Sequence, residues 1–268
     1  TVQVWDAETG AELVTLYAHT RQVSQANWNT DGTRFLTQSV YDKAVRVWDA
    51  ETGAELAVLS GHETSGVWQA SWSADGSRIL TPGYDSVRVW DAETGTELVT
   101  LSGYHFGQSA SNATGTRILT AISNSPVARL WDAESGIELA TLSGYIARDS
   151  WESWKADGRH ILTVDHDGTV RVWDAETGAE LAVLSGHTDQ VTQATWNDNG
   201  TRILTRSNDG TVKVWSIESG VELPILSGHT DRVERGSWNA DDTRILTKSS
   251  DGTARLWDSE SGAELLVA

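Results

Sequence analysis

A six-residue segment recurs seven times along the chain at an almost constant spacing. Its copies read WDAETG at 5–10, 48–53, 90–95 and 173–178, WDAESG at 131–136, WSIESG at 215–220 and WDSESG at 257–262. Successive leading tryptophans lie 41 to 43 residues apart. So regular a period predicts one supersecondary unit that has been copied, with each copy burying its apolar face against the next. Residues that recur in every copy are therefore expected to serve the scaffold.

One copy, residues 186–226, divides into four short segments separated by turn residues. Strand-forming stretches lie at 191–196, 201–205, 211–215 and 221–226, with Asn-Asp-Asn-Gly, Asn-Asp-Gly and Glu-Ser-Gly between them. Polar and apolar residues alternate in the third stretch, and Asp-Gly is a strong hairpin signal. Each copy is therefore predicted to be a four-stranded antiparallel meander, and a radial stack of such sheets is stable where one alone is marginal.

The Gly-His opening, the Asp-Gly hairpin and the Trp-Asp ending at this spacing resemble the WD-repeat β-propeller family over essentially the whole chain. The high self-similarity resembles the bacterial type of array. The resemblance implies an all-β fold, a β-propeller of four-stranded antiparallel blades, with six complete blades plus a half blade in a seven-blade frame. A six-bladed ring is the alternative. We expect a single β-propeller domain over 1–268, with a half blade at 1–18 and repeats at 19–60, 61–102, 103–143, 144–185, 186–227 and 228–268.

In this family a histidine, a strand hydroxyl, a turn aspartate and the strand tryptophan form a hydrogen-bonded network inside each blade. Carried over residue by residue, the resemblance implies four structural tetrads: His19, Thr37, Asp42 and Trp48; His62, Thr81, Asp85 and Trp90; His187, Thr205, Asp209 and Trp215; His229, Thr247, Asp251 and Trp257. Ser207 and Ser249 are alternative hydroxyls in the last two. A hydroxyl, a histidine and an aspartate also suggest a hydrolase, but an active site is built once and this set recurs. We therefore predict no catalytic residues.

Charge and composition exclude several kinds of partner. The chain has 38 acidic and 20 basic residues, a formal net charge of −18 that disfavours nucleic acid. No apolar run approaches the roughly 20 residues of a membrane span, so no membrane contact is expected. The absence of cysteine excludes thiolate metal sites. Asp165, His166 and Asp167 are too close along one tight turn to converge on an ion, and we expect no metal and no cofactor. No signal or transit peptide is recognisable, and we expect a cytoplasmic protein.

The third and fourth copies depart from the common pattern. They read Gly103-Tyr104 and Gly144-Tyr145 in place of Gly-His, and the hairpin at 123–126 lacks Asp-Gly. This drift is either tolerated decay or the mark of a partner's contacts. Because interface hot spots favour aromatic residues, the candidate partner-binding residues in this sector are Tyr104, His105, Phe106, Tyr145, Arg148, Trp151 and His166.

The two faces of the predicted propeller differ in charge. The seven acidic turns fall at one end of the meander and are expected to ring one face with negative charge. The opposite face is more mixed and more variable between copies, and variable loops on a fixed scaffold are where recognition usually lies. Its basic candidates for partner contact are Arg206, Arg232 and Lys248.

These observations predict a non-catalytic protein–protein interaction scaffold or sensor domain that binds a protein or peptide. Arrays that this chain resembles often sit behind a signalling domain, which implies that it is part of a larger signalling protein. Self-association through the incomplete blade is a further prediction, since an unfilled sheet edge invites pairing. Two alternatives stay open: a recently amplified or model repeat propeller without an evolved ligand, and an enzyme with a site near the central channel.

Overall fold

The computed structural model describes residues 1–17, 19–39, 43–62, 66–67, 69–84, 86–103, 106–122, 125–144, 154–217, 222–223 and 226–268. By their internal contacts these residues form two compact units, unit 1 with residues 1–123 and 131–138 and unit 2 with residues 124–130 and 139–268. The described ranges contain strands and turns without a helix. They accordingly offer no helix of the length and apolarity that crossing a membrane requires.

Unit 1 begins with a two-stranded antiparallel hairpin, called here the opening hairpin, made of β1 (Val2–Trp5) and β2 (Glu12–Leu16). Two four-stranded sheets follow. Sheet 1 contains β3 (Gln25–Trp28), β4 (Arg34–Ser39), β5 (Ala44–Asp49) and β6 (Glu55–Ser60). Sheet 2 contains β7 (Ser71–Trp72), β8 (Arg78–Pro82), β9 (Ser86–Asp91) and β10 (Glu97–Ser102). Neighbouring strands in both sheets are antiparallel and consecutive in the chain, which is the predicted meander.

Sheet 3 is again four-stranded, with β11 (Phe106–Ser111), β12 (Arg117–Ile122), β13 (Val127–Asp132) and β14 (Glu138–Ser143). Sheet 4 contains β15 (His160–Val164), β16 (Val170–Asp174) and β17 (Glu180–Leu184). Sheet 5 contains β18 (Val191–Trp196), β19 (Arg202–Ser207) and β20 (Val212–Ser216). Sheet 6 contains β21 (Val233–Trp238), β22 (Arg244–Ser249), β23 (Ala254–Asp258) and β24 (Glu264–Val267).

The four-stranded prediction is confirmed in sheets 1, 2, 3 and 6. Sheets 4 and 5 have three strands each, with isolated bridges where the fourth is expected. Trp154 bridges Ile161 beside sheet 4, and Glu222 and Leu226 bridge the last strand of sheet 5. The remainder of both expected strands, including 145–153, lies outside the described residues.

Sheets 1 and 5 each bury an apolar face against the next copy within their unit. Alternate side chains of one strand point to the same face, so the period-2 pattern of β4 and β5 produces a continuous apolar surface. Sheet 1 contributes Leu36, Val45, Val47 and Leu59 to one cluster, and the following copy contributes Val67, Ala70, Ile79, Trp90 and Ala92. In unit 2 a corresponding cluster joins Leu204, Val212 and Val214 of sheet 5 to Val233, Ile245 and Trp257 of sheet 6. The prediction that each copy is covered by its neighbour is confirmed at these junctions.

The recurring six-residue segment is the turn between the last two strands of a sheet. In its third copy the carboxylate oxygen Oδ1 of Asp91 accepts hydrogen bonds from the Thr94 amide (2.8 Å) and hydroxyl (2.7 Å). Gly95 follows with φ of +69°, a conformation that strains other residues. A Cβ on Gly95 would also lie 2.5 Å from the Cβ of Ala57 in the preceding sheet. Both the backbone conformation and the close approach to Ala57 therefore require glycine here.

Candidate functional site

In sheet 5 the structure joins the four residues of one predicted tetrad by hydrogen bonds. His187 Nδ1 lies 2.9 Å from Asp209 Oδ2, and His187 Nε2 lies 2.8 Å from Thr205 Oγ1. The indole Nε1–H of Trp215 donates to the same Thr205 oxygen over 2.8 Å. His187 and Thr205 are buried, and the aspartate lies in the β19–β20 turn. The hydrogen bonds form an unbroken series from Asp209 in the turn, through His187 and Thr205, to Trp215 in the third strand.

The surroundings of Asp209 and His187 determine the protonation state of each side chain. Burial acts to raise the pKa of Asp209, but hydrogen bonds from Thr211, the Thr188 amide and His187 outweigh it and lower the pKa to about 2. Burial lowers the pKa of His187 below its usual value of 6.5, although Asp209 opposes that shift. An ionised carboxylate only accepts, so Nδ1 of the neutral ring carries the hydrogen and Nε2 accepts from the Thr205 hydroxyl. Each polar group of the tetrad is thereby paired.

Sheet 6 repeats this tetrad with the same geometry. His229 Nδ1 lies 2.9 Å from Asp251 Oδ2, and Nε2 lies 2.8 Å from Thr247 Oγ1. Trp257 Nε1–H donates to Thr247 Oγ1 over 2.8 Å. The Thr253 hydroxyl and the other hydrogen bonds that Asp251 accepts hold the pKa of that carboxyl well below its usual range.

In sheets 1 and 2 three of the four residues are described, and they are joined in the same way. His19 Nε2 lies 2.8 Å from Thr37 Oγ1, to which Trp48 Nε1–H donates over 2.9 Å. The corresponding distances at Thr81 are 2.9 Å to His62 Nε2 and 2.7 Å to Trp90 Nε1. The predicted aspartates of these two tetrads, Asp42 and Asp85, lie outside the described residues.

In the described part of the third and fourth copies the inner half of the network is present. Trp131 Nε1–H donates to Thr120 Oγ1, and Trp173 Nε1–H donates to Thr163 Oγ1, each over 2.8 Å. Thr163 in turn donates to the backbone carbonyl of Ser143 over 2.8 Å. These two pairs lie outside the predicted tetrads because both copies have tyrosine where the tetrad has histidine. The common Leu-Thr of the second strand would have identified both threonines.

Geometry also decides between the two hydroxyls that the sequence left open. Ser207 Oγ donates to the Asp189 carbonyl (2.9 Å) and accepts the Asp209 amide (3.1 Å). Ser249 Oγ makes the corresponding bonds in sheet 6. These serines shape the hairpin turn, and the threonines bind the histidines. No serine of a tetrad is therefore placed as a nucleophile beside its histidine.

Most candidates for partner contact in the third and fourth copies cannot be placed. Tyr104, His105, Tyr145, Arg148 and Trp151 lie outside the described residues. Phe106 begins β11, but its side chain also lies outside them. These residues stay predictions.

His166 is exposed in the turn between β15 and β16. The two carboxylates beside it have structural roles, since Asp165 Oδ2 accepts from Arg171 Nε (3.2 Å) and Asp167 Oδ1 accepts from the Thr169 hydroxyl (2.7 Å). Across the described part of the chain no three histidine or acidic side chains are grouped so that they could hold a metal ion.

Arg206 is not a surface residue, which corrects its selection as a basic partner contact. It is 8% exposed, and its Nη1 donates to the carbonyl of Val233 over 2.8 Å and to that of Glu234. Both carbonyls belong to β21, so the guanidinium fastens sheet 5 to sheet 6. Arg232 and Lys248 are exposed, and Lys248 Nζ lies 3.0 Å from Glu234 Oε2.

The negative charge around the recurring segments is partly neutralised. In four copies the glutamate that follows the recurring segment pairs with an arginine on the preceding strand, two residues before the tryptophan: Arg46–Glu55, Arg88–Glu97, Arg171–Glu180 and Arg255–Glu264. Lys213 pairs with Glu222 in the same way at 2.9 Å. The aspartates and the exposed glutamates inside the segments, such as Asp49, Glu51 and Glu93, give the turns their negative charge.

Comparison with known proteins agrees with this geometry. The family described as WD domain, G-beta repeat matches residues 10–49, 53–91, 139–174, 178–216 and 220–258. The intervening 92–138 includes the hairpin at 123–126 that lacks Asp-Gly. Among solved structures the chain is similar to the computationally designed Ika8 protein, with 26% identity, a TM-score of 0.70 and coverage of 99% of this chain and 80% of that chain.

A second similar structure is the C-terminal WD40 domain of Sif2, with 22% identity, a TM-score of 0.71 and coverage of 92% of this chain and 72% of that chain. At this identity the likeness concerns the fold alone. A comparison with curated protein sequences gives no match.

Proposed function

Because this chain belongs to the WD40 repeat family and has its all-β propeller fold, we propose that it is the recognition domain of a larger signalling protein. Propellers of this family generally mediate protein–protein interactions and are typically non-catalytic scaffolds. The proposed partner is a protein or peptide. It binds on the face that carries Arg232 and the turns between the second and third strands of each sheet. The recurring WD turns lie at the other ends of the strands.

The observation that carries this proposal is the repetition of the buried network. The same three hydrogen bonds occur around Thr205 and around Thr247, and two of them occur around Thr37 and Thr81. A catalytic group must reach its substrate, whereas His187 and Thr205 are buried and already paired. The histidines and threonines of the tetrads therefore stabilise the scaffold, and we propose that the partner binds to the loops.

A selection experiment tests which face binds. Peptides are selected from a random display library on the immobilised domain, and each is then titrated against Arg232→Glu and Arg159→Glu by calorimetry. Both arginines are exposed and both changes alter the charge equally, but Arg159 lies in the turn before β15, on the side of the WD turns.

We expect the selected peptides to bind Arg232→Glu less tightly and Arg159→Glu as tightly as the unchanged chain. The reverse ranking would reject the proposed face. Selection that enriches no peptide at all would favour the alternative of an amplified propeller without an evolved ligand.

A further inference from the structure

A groove of about 590 Å³ opens on the surface of unit 1 beside the recurring turns. Its walls come from the opening hairpin, from the β3–β4 turn and from the turn after β5. Trp5 and Trp28 line it and are each 53% exposed, and Leu13 is 59% exposed. The exposure of Trp5 is unusual, because its equivalents in the next two copies, Trp48 and Trp90, are buried.

An aromatic stack beneath the groove holds one of its walls. The rings of Trp28 and Phe35 are tilted at 56° with centroids 5.1 Å apart, and Phe35 is stacked on Trp48 at 6.4 Å. Phe35 is buried, so the exposed Trp28 ring rests on a fixed support. The other five copies have isoleucine at the position of Phe35: Ile79, Ile118, Ile161, Ile203 and Ile245. The aromatic stack is therefore specific to sheet 1. The other copies have isoleucine at this position, so the repeat fold itself does not require the stack.

The groove is also negatively charged. Asp6, Asp49 and Glu51 line it, and its lining includes no lysine or arginine. The Thr9 hydroxyl and the Thr52 hydroxyl hydrogen-bond to Asp6 and Asp49 and lower the pKa of each carboxyl, so both are ionised at neutral pH. These bonds engage Oδ1 of each carboxylate. Arg34, whose charge also favours ionised Asp49, donates its Nη1 to the carbonyl of Ala92 over 2.8 Å.

We propose that this groove binds an arginine side chain of a partner protein, with the guanidinium between the Trp28 ring and the carboxylates of Asp49 and Glu51. A planar guanidinium can stack flat on an indole face while its edge donates two parallel hydrogen bonds to a carboxylate, and a compact ammonium group lacks this flat, forked geometry. Leu13 and Trp5 provide apolar surface for the methylene stem. Every residue that lines the groove belongs to unit 1, and the proposal does not depend on Arg232 or Lys248.

Indole NMR signals test the proposal directly. The probe is a blocked Gly-Ser peptide with one central arginine, compared with the same peptide carrying citrulline or lysine. The ¹⁵N–¹H indole signals of Trp5 and Trp28 are assigned with Trp5→Phe and Trp28→Phe. We expect the arginine peptide to shift both signals saturably, the lysine peptide to bind more weakly, and the neutral citrulline peptide to leave both signals in place.

A matched pair of variants separates the groove from the general negative field of the protein. Glu51→Gln and Glu93→Gln remove the same charge at the same position of consecutive recurring segments, and both glutamates are exposed. We expect Glu51→Gln to weaken arginine-peptide binding about twofold to fivefold, with Glu93→Gln unchanged. Equal weakening by both variants, equal binding of citrulline, or unshifted Trp28 would each overturn the proposal.

Discussion

Sheets 5 and 6 contain the same hydrogen-bonded tetrad but differ in how their apolar faces are covered. Leu204 of sheet 5 is 2% exposed because sheet 6 packs over it, whereas its equivalent in sheet 6, Leu246, is 51% exposed. The tetrad distances agree within 0.1 Å in the two sheets. The network is therefore a property of one copy, and the hydrophobic core is a property of two consecutive copies.

Removing the core leucine from each sheet should give the largest contrast. Leu204→Ala leaves a cavity between two sheets and is expected to lower the free energy of unfolding by about 2–4 kcal/mol. Leu246→Ala removes a half-exposed side chain and is expected to cost less than about 1 kcal/mol. Urea denaturation followed by tryptophan fluorescence measures both. Equal losses would show that sheet 6 is covered in solution as fully as sheet 5.

Removing the turn aspartate should, in contrast, affect both sheets alike. Asp209→Asn and Asp251→Asn each leave a histidine Nδ1–H and a backbone amide without their anionic acceptor, and we expect both to lower the stability, Asp209→Asn by about 1–3 kcal/mol. Glu260→Gln, an exposed change of the same charge, is the control. The two aspartate variants are compared by thermal denaturation. A loss confined to Asp209→Asn would mean that the network of sheet 6 contributes nothing without a covering sheet.

The pH dependence of stability is expected to be the smallest effect, and it reports on the protonation of His187. The pKa of folded His187 is lowered below 6.5, so the unfolded chain takes up a proton first as the pH falls. Its contribution is complete above pH 6.5 and is lost below it, with a slope of at most about 1.4 kcal/mol per pH unit. Asp209, with its pKa lowered to about 2, contributes fully above pH 3.8 and loses this contribution as the pH falls towards 2.

The melting temperature between pH 8 and pH 3 should therefore fall in two steps. In the His187→Gln variant the upper step should shrink while the lower step remains. An unchanged upper step in that variant would assign it to another group. Lys213 and Glu222 also influence His187, so Glu222→Gln serves as a second comparison.

Repeat architecture and strand type could be predicted because they are encoded locally in a segment that recurs seven times, and the network because its residues recur in four copies. The Asp-Gly turns and the alternation in segments such as 211–215 determine the meander with no knowledge of neighbouring sheets. In the tetrads of sheets 5 and 6 the sequence leaves a serine as the alternative to the threonine. Only the positions of the two hydroxyls in the sheet distinguish Thr205, which faces the imidazole, from Ser207, which closes the turn.

What the sequence could not show depends on contacts between copies. Arg206 has the appearance of an exposed basic residue, yet it is buried by the carbonyls of Val233 and Glu234. Phe35 has the appearance of an ordinary apolar strand residue, and its role under Trp28 follows only from the ring geometry. A periodic pattern reports which face of a strand is apolar, but it does not report what the next sheet places opposite.

The glycine that ends the recurring segment has a consequence for how such a chain can change its length. Gly53, Gly95, Gly136 and Gly178 each approach a small or β-branched side chain of the preceding copy: Val14, Ala57, Val99 and Ala140. Since one interchangeable seam joins successive copies, recombination that gains or loses a whole period creates a junction of the same kind as those it replaces. Length can thus drift by entire modules during evolution, whereas an insertion of a few residues inside a recurring segment would displace the glycine of that one seam.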